Sequence, residues 1–243
     1  MWTVSPRVAL VNPGPRSNAK GEALETPNPP LPDGRGSDRS RSLRDFPTML
    51  EIEQKFAHAD FAAIEKRLSE WQARRGKEQI EADHYFNAPD RDFARTDEAF
   101  RLRRIGLANF LTYKGPKQPG TVKVRTELEI PLRDGDEAAE QILQLLAHLG
   151  YRFVAVVRKH RRYYHLERGG FAVSVCLDEV EQLGRFVEVE IVAPQEQADA
   201  ARSVLAETAV ALDLTELERR SYLNLLLSAQ GTPQAADIPE NAP

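Results

Sequence analysis

The chain has 243 residues, 41% of them hydrophobic, enough to bury one large core or two small ones, and its formal charge of -4 is too small to demand nucleic acid or an anionic membrane as partner. A single cysteine, Cys176, excludes an intramolecular disulfide and any cysteine-built zinc or iron–sulfur centre. No apolar run approaches the roughly 20 residues that span a bilayer, and the N-terminus lacks the apolar core of a signal peptide, so a soluble protein of the reducing cytoplasm is expected.

Residues 1–48 carry eight of the sixteen prolines and no sustained apolar periodicity, and read as a disordered extension. Met49 directly precedes the first patterned strand and is the expected biological start. Eight candidate strands follow, at 49–57, 80–87, 98–106, 108–115, 121–131, 154–168, 170–179 and 184–193, several joined by hairpin-length gaps. Eight antiparallel strands can close on themselves. Between them the first helix, after Asp60, repeats Phe61, Ile64, Leu68 and Trp71 and is expected to stop at Gly76. A second runs over 137–149 with Ile142, Leu145, Leu146 and Leu149 on one side, ended by Gly150. The third is expected to begin at Pro194, and the fourth to open with Thr215 and Glu218 at capping-box spacing and carry Tyr222, Leu225 and Leu226. From Ser228 the chain is polar and Pro-bearing, a second disordered tail. The bounds are therefore 1–48, a folded domain over 49–227, and 228–243.

The strands are unusual in what they alternate. In a strand, residues i and i+2 share a face. Leu50, Ile52 and Phe56 fall on one side of the first strand, and Glu51, Glu53 and Lys55 on the other. Glu188 and Glu190 likewise oppose Val187, Val189 and Ile191. Arg101 with Arg103, Thr112 with Lys114, Arg125 with Glu127 and Glu129, and Lys159 with Arg161 repeat the pattern. One such strand is an ordinary half-solvated sheet. When most strands do this and the helices bring apolar stripes, the apolar face goes under the helices and the charged face lines a lumen. Like charges crowded there repel strongly, and a polyphosphate with divalent metals supplies counter-charge of both signs.

The segment EIEQK at 51–55 carries the ExExK signature, and the blocks DHYF (83–86), FRLRR (100–104), LTYKGP (111–116), VRTELEI (124–130), VRKHRRYY (157–164), LDEVEQLGRFVEVE (177–190) and SYLNLL (221–226) follow in order. Together they resemble the CYTH superfamily, the triphosphate tunnel metalloenzymes, which includes class IV adenylate cyclases, thiamine triphosphatases and inorganic triphosphatases. The resemblance covers residues 49–227, with no departure in the acidic and basic signature positions.

It implies an α+β fold, an eight-stranded antiparallel closed β-barrel covered by helices, and an enzyme. Glu51, Glu53, Asp178, Glu188 and Glu190 are the implied ligands of Mg²⁺ or Mn²⁺, hard ions that take oxygen donors. Lys55, Arg101, Arg103 and Lys114 are the implied catalytic cations, and Arg125, Lys159 and Arg161 complete a phosphate clamp. Tyr85 joins the substrate-binding candidates, with packing as its alternative role. Glu127 and Glu129 either bind metal or orient arginines, the orienting role being favoured for Glu129. The expected partner is a small molecule bearing a triphosphate, such as ATP or thiamine triphosphate, with no membrane or nucleic acid and with a homodimer as the default assembly. Cyclisation of ATP to cyclic AMP and pyrophosphate is placed first. Hydrolysis of an organic or inorganic triphosphate is the alternative, and a non-catalytic polyphosphate, nucleotide or RNA binder is third, disfavoured by the complete acidic set.

Gly115 and Gly120 enclose four residues as in a P-loop, but Thr121 and Val122 stand where Lys and Ser/Thr are required. A hairpin is expected there, with Lys117 as a candidate phosphate contact at the tunnel mouth. His58, His84, His148, His160 and His165 show no metal or triad spacing and read as structural.

Overall fold

A computed structural model describes residues 49–57, 59–118 and 122–231. The expectations for 1–48, for Met49 as a start, for His58, for Gly120 and Thr121 at the hairpin tip, and for the tail beyond 231 lie outside the described residues.

Eight strands close into an antiparallel barrel in the order β1-β5-β4-β3-β2-β6-β7-β8. They are β1 (Met49–Ala57), β2 (Arg74–Asn87), β3 (Ala99–Ile105), β4 (Ala108–Lys114), β5 (Lys123–Pro131), β6 (Arg152–Arg168), β7 (Phe171–Val180) and β8 (Gly184–Pro194). Closure removes every sheet edge. Among the described residues five helices surround them: α1 (Phe61–Glu70), α2 (Phe93–Thr96), α3 (Asp136–His148), α4 (Ala198–Ala211) and α5 (Tyr222–Ala229). Among the described residues no helix is long and apolar enough to cross a membrane.

The apolar core lies outside the barrel wall. Leu50 and Ile52 of β1, Val124 of β5, Val173, Val175 and Leu177 of β7, and Val187, Val189 and Ile191 of β8 pack against Phe61, Ile64 and Leu68 of α1 and Ala201 and Leu205 of α4. Each fully buried Leu or Ile there contributes about 1.5–3 kcal/mol. On the opposite flank α3 sets Ala139 and Leu146 on Phe86 and Leu102. The third cluster gathers around α5, where Tyr222 and Leu226 meet Tyr85, Ala155, Val157, Val180 and Phe186. Because residues paired across antiparallel strands share a face, the register of Glu53 with both Lys123 and Glu190 sends all three to the inner face, while Ile52 with Val124 and Ile191 goes outward.

Several expectations are corrected. α1 ends at Glu70, and the chain turns at Gln72, which takes the left-handed conformation (φ 57°), so Gly76 lies inside β2 and caps nothing. β2 accordingly starts six residues earlier than its apolar pattern indicates, in a charged stretch. Pro194 closes β8; a 3-10 turn over Gln195–Gln197 separates it from α4. Thr215 and Glu218 do not open the last helix. Their segment pairs with the end of β1, Ala57 N donating to Glu216 O and Glu218 N to Lys55 O, both at 2.8 Å, and Ser221 caps α5 by accepting from Asn224 N at 3.1 Å. That helix runs two residues past the expected boundary at 227. The short helix α2 has no counterpart in the sequence pattern. Gly150, in contrast, follows α3 at φ 82°, the left-handed position that a side chain disfavours.

Candidate active site

The inner face of the barrel forms a charged cavity of about 140 Å³. Its lining contains eight cations, Lys55, Arg101, Arg103, Lys114, Lys123, Arg125, Lys159 and Arg161, and five carboxylates, Glu51, Glu53, Glu127, Glu188 and Glu190. Tyr85, Tyr163, Ser221 and Tyr222 complete it. Every strand except β7 places a side chain in this wall, so local alternation and barrel closure together build the site.

Glu51, Glu53 and Glu190 converge: one carboxylate oxygen from each lies within 4.8 Å of the others. Glu53 and Glu190 are direct cross-strand partners, an arrangement of like charges that destabilises a sheet unless a cation joins them. Burial raises Glu190 to about 8, Arg161 opposing this and Glu188, Glu51 and Glu53 adding to it. Burial also raises Glu51, against the pull of Lys114. Glu53 goes the other way: burial works to raise it, but Lys123, Lys114 and Arg125 hold it well below the usual carboxylate range. The three hard oxygen donors, crowded and in two cases reluctant to ionise, fit a divalent cation such as Mg²⁺ or Mn²⁺.

The cations are matched to these carboxylates. Lys114 Nζ lies 2.6 and 2.8 Å from the two Glu51 oxygens, Arg125 Nε 3.4 Å from Glu51 Oε2, and Lys123 Nζ 2.7 Å from Glu53 Oε1. Glu127 stands 3.0 Å from Lys114 and 3.8 Å from Arg101. Glu129 is exposed, accepts from Thr112 Oγ1 at 3.3 Å, and does not line the cavity.

At the end closed by α5, Lys55 is 1% exposed. Its Nζ donates to Arg220 O and sits 4.1 Å from the centre of the Tyr222 ring. Burial, reinforced by Lys123, lowers its pKa to about 7. Arg161 donates from Nε to Asp178 Oδ1 at 2.6 Å, and its Nη2 also reaches Asp178 Oδ2 and Glu188 Oε2. Glu188 is lowered: burial opposes this and Arg161 drives it. Asp178 is fully buried behind the lining, its Oδ2 accepting also from Tyr222 Oη at 2.7 Å. Tyr85 lines the cavity and takes Arg101 Nη1 at 3.3 Å on its hydroxyl.

Of the sequence candidates for metal, phosphate and substrate, all except Asp178, Glu129 and Lys117 line this one cavity. Lys117 is held away by Asp97, which accepts its backbone N at 2.9 Å and pairs with its Nζ. No histidine among the described residues lines the cavity. Sequence reasoning passed over Lys123, Tyr163, Ser221, Tyr222 and two buried carboxylates, Glu81 and Asp83. The signal existed for three of them: Lys123 continues the alternation of Arg125 and Glu127, and Glu81 and Asp83 share the face of Tyr85.

Known proteins match this architecture. The PH1819 protein of Pyrococcus horikoshii has a structure superposing with a TM-score of 0.64 at 37% identity, over 73% of this chain and 98% of that one. A Hippeastrum protein, described as a "putative adenylyl cyclase" that "reveals a dominant" triphosphatase activity, superposes with a TM-score of 0.54 at 14% identity, covering 77% of this chain and 98% of its own; at that identity the likeness is of fold alone. The Methanocaldococcus jannaschii protein named "Putative adenylate cyclase MJ0240" is 33% identical over 180 residues, 73% of this chain and 98% of the relative. The CYTH domain family model matches residues 49–222, spanning all eight strands. The chain belongs to the CYTH family.

Proposed function

We propose that the protein is a metal-dependent enzyme acting on the triphosphate group of a small molecule. The observation that carries this is the convergence of Glu51, Glu53 and Glu190 in a cavity that also presents eight cations. An anion binder gains nothing from three carboxylates aimed at its ligand, and a simple cation site gains nothing from the arginines and lysines.

Glu51, Glu53 and Glu190 would hold Mg²⁺ or Mn²⁺, with Glu188 next along β8. When bound, such an ion supplies Lewis acidity toward phosphate oxygens. Asp178 takes a supporting role here, since its oxygens serve Arg161 and Tyr222. Arg125, Lys159 and Arg161 hold the phosphates; Lys55, Arg101, Arg103 and Lys114 neutralise charge that develops as a bridging P–O bond breaks. The lining charges are mostly buried, which makes these interactions stronger than they would be in solvent.

Two reactions share this machinery. In cyclisation the ribose 3′-hydroxyl of ATP attacks the α-phosphorus and pyrophosphate leaves; we take this reading first, and the name of the 33% identical relative supports it. In hydrolysis water attacks the terminal phosphorus and orthophosphate leaves. A specific observation favours it as the second reading: the aromatic residues of the lining are Tyr85, Tyr163 and Tyr222, whose hydroxyls are tied to Arg101, Glu81 and Asp178, so the cavity recognises charge more than a base. The test is incubation with ATP, thiamine triphosphate or tripolyphosphate and Mg²⁺ or Mn²⁺, with separation of products. Cyclic AMP and pyrophosphate support cyclisation, and ADP and orthophosphate support hydrolysis. Binding without turnover on all three overturns the enzyme assignment.

A further inference from the structure

Six of the eight cations of the cavity fall into two groups by the partners they keep. Lys114, Lys123 and Arg125 lean on Glu51 and Glu53, carboxylates that themselves face the cavity. Arg101, Arg103 and Lys159 lean instead on Glu81 and Asp83, which are 0% and 1% exposed and lie behind the lining.

The strand order explains this second group. β2 lies between β3 and β6; Asp83 is the cross-strand partner of Arg103, and Glu81 that of Lys159. Each of these carboxylates therefore has one cation directly across, Arg103 on β3 for Asp83 and Lys159 on β6 for Glu81, and reaches the other's cation diagonally. Asp83 Oδ1 accepts Arg103 Nε at 2.7 Å; its Oδ2 accepts Arg103 Nη2 at 2.9 Å and Arg101 Nη1 at 3.0 Å. One carboxylate thus grips one guanidinium bidentately and a second through a shared oxygen. Glu81 Oε2 lies 3.0 Å from Arg103 Nη2 and 3.1 Å from Lys159 Nζ, both as ion pairs without a directed hydrogen bond. Its Oε1 accepts Gln79 Nε2 at 2.9 Å and Tyr163 Oη at 2.8 Å. The grip does not use up the cations: Arg101 Nε is buried with no hydrogen-bond partner, a donor left over in a cavity built for anions.

We infer that Glu81 and Asp83 are positioning residues that hold Arg101, Arg103 and Lys159 as a preformed anion cradle, themselves touching neither substrate nor metal. The inference rests on the triphosphate assignment above. Its physical basis is entropy: a free Arg or Lys side chain loses rotamer freedom when fixed, and three fixed in advance leave that cost out of the binding step. The net charge makes the claim distinctive. Removing a carboxylate beside an anion site should tighten anion binding if the carboxylate only counterbalances charge, and weaken it if the carboxylate sets the geometry.

The test uses the full chain and its Asp83→Asn and Glu81→Gln variants. Calorimetric titration with inorganic tripolyphosphate in chelator, without metal, is expected to show at least tenfold weaker binding in Asp83→Asn, with Mn²⁺ affinity by electron paramagnetic resonance unchanged within twofold. Equal or tighter tripolyphosphate binding overturns the inference. A ligand-free readout separates this from failure of the triphosphate assignment: the Nε–H of Arg103 should exchange slowly with solvent in the wild type and at least tenfold faster in Asp83→Asn. Fast exchange already in the wild type overturns positioning whatever the substrate is. Slow exchange together with no tripolyphosphate binding by the wild type leaves the positioning role standing and overturns the triphosphate assignment. Should Asp83→Asn lose the fold, judged by its thermal transition, Glu81→Gln carries the same comparison through Lys159 and Arg103, with the same two outcomes.

Discussion

Lys114 Nζ lies 2.6 Å from Glu51 Oε1 and 2.8 Å from Oε2, with Glu127 Oε2 at 3.0 Å. A cation assigned to phosphate and a carboxylate assigned to metal thus neutralise each other, and a metal that takes Glu51 releases Lys114. This gives opposite signs for two substitutions. Glu51→Gln is expected to weaken Mn²⁺ binding at least tenfold. Lys114→Met, which removes the competitor for Glu51, is expected to tighten Mn²⁺ binding by about tenfold, or about 1.4 kcal/mol, while weakening tripolyphosphate binding. Mn²⁺ titrations followed by electron paramagnetic resonance read the first effect, and calorimetry with tripolyphosphate reads the second. Equal Mn²⁺ affinity in both variants and the wild type removes Glu51 from the metal site.

Glu190 sets a pH dependence. With its pKa raised to about 8 by burial, against Arg161, and by the nearby Glu188, Glu51 and Glu53, it holds a proton at neutral pH that a metal must displace. Mn²⁺ affinity is therefore expected to fall by up to tenfold per unit as pH drops below about 8, and to level off above it. Calorimetry at pH 7 in two buffers of different ionisation enthalpy should report close to one proton released, and far less at pH 9. Stability without metal carries the matching sign. Between the ordinary value of 4.5 and about 8 the folded chain binds this proton and the unfolded chain does not, so the contribution of Glu190 to stability declines as pH rises through that window. In Glu190→Gln both slopes should flatten, leaving the share of Glu51 and Lys55.

The site was more legible in the sequence than the helix ends, for a physical reason. A closed barrel enforces period two on every strand, so Glu51 and Glu53 against Leu50 and Ile52 announce which face is the lumen before any pairing is known. Glu81 and Asp83 escaped because their strand looked like a short apolar one starting at Ile80, when pairing with β6 extends it back to Arg74. Tertiary contacts also overrode local signals. Gly76 offers a helix stop, yet Ala73 N already closes on Leu68 O at 2.9 Å with Gln72 in the left-handed region. Glu218 has capping-box spacing, yet its side chain binds Arg220 Nε at 3.0 Å and backbone N at 2.8 Å. Pairing beside β1 decided that segment, and no local pattern encodes it.

Glu98 ties α2 to the barrel wall and gives a stability prediction away from the site. It accepts Arg91 Nε and Nη2, each at 2.9 Å, Tyr113 Oη at 2.6 Å and Thr96 Oγ1 at 2.6 Å. Chiefly through Arg91, its pKa is held down to about 2. A depressed carboxyl contributes stability above its unfolded value, 4.5, and loses it as pH falls through about 2. Glu98→Gln is expected to cost about 1–2 kcal/mol at pH 7, with the gap to wild type closing as pH approaches 2. Urea unfolding at a series of pH values checks this, and a gap independent of pH would assign the loss to shape and not to charge.

Tyr222 joins the last helix to the cavity, and its two halves can be separated. The hydroxyl donates to Asp178 Oδ2 at 2.7 Å; the ring lies under Lys55 Nζ at 4.1 Å and meets the Phe186 ring edge-on at 5.2 Å. Tyr222→Phe keeps the ring and removes one hydrogen bond to a buried carboxylate that retains Arg161, so a loss of about 1–3 kcal/mol is expected. Tyr222→Ala removes the ring as well, opens a cavity beneath α5 and uncovers Lys55, so its loss should reach about 3–5 kcal/mol. The chemistry should respond differently. Tyr222→Phe leaves Lys55 in its buried setting and should keep turnover within about tenfold, the scale of 1.4 kcal/mol, whereas Tyr222→Ala lets water reach Lys55, restores its pKa toward the ordinary 10.5 and should shift the pH profile of turnover along with its rate. Urea unfolding of both variants with unchanged slope, alongside turnover from pH 6 to 10, separates the two roles; a Tyr222→Ala profile superimposable on the wild type would mean that the ring only seats the helix.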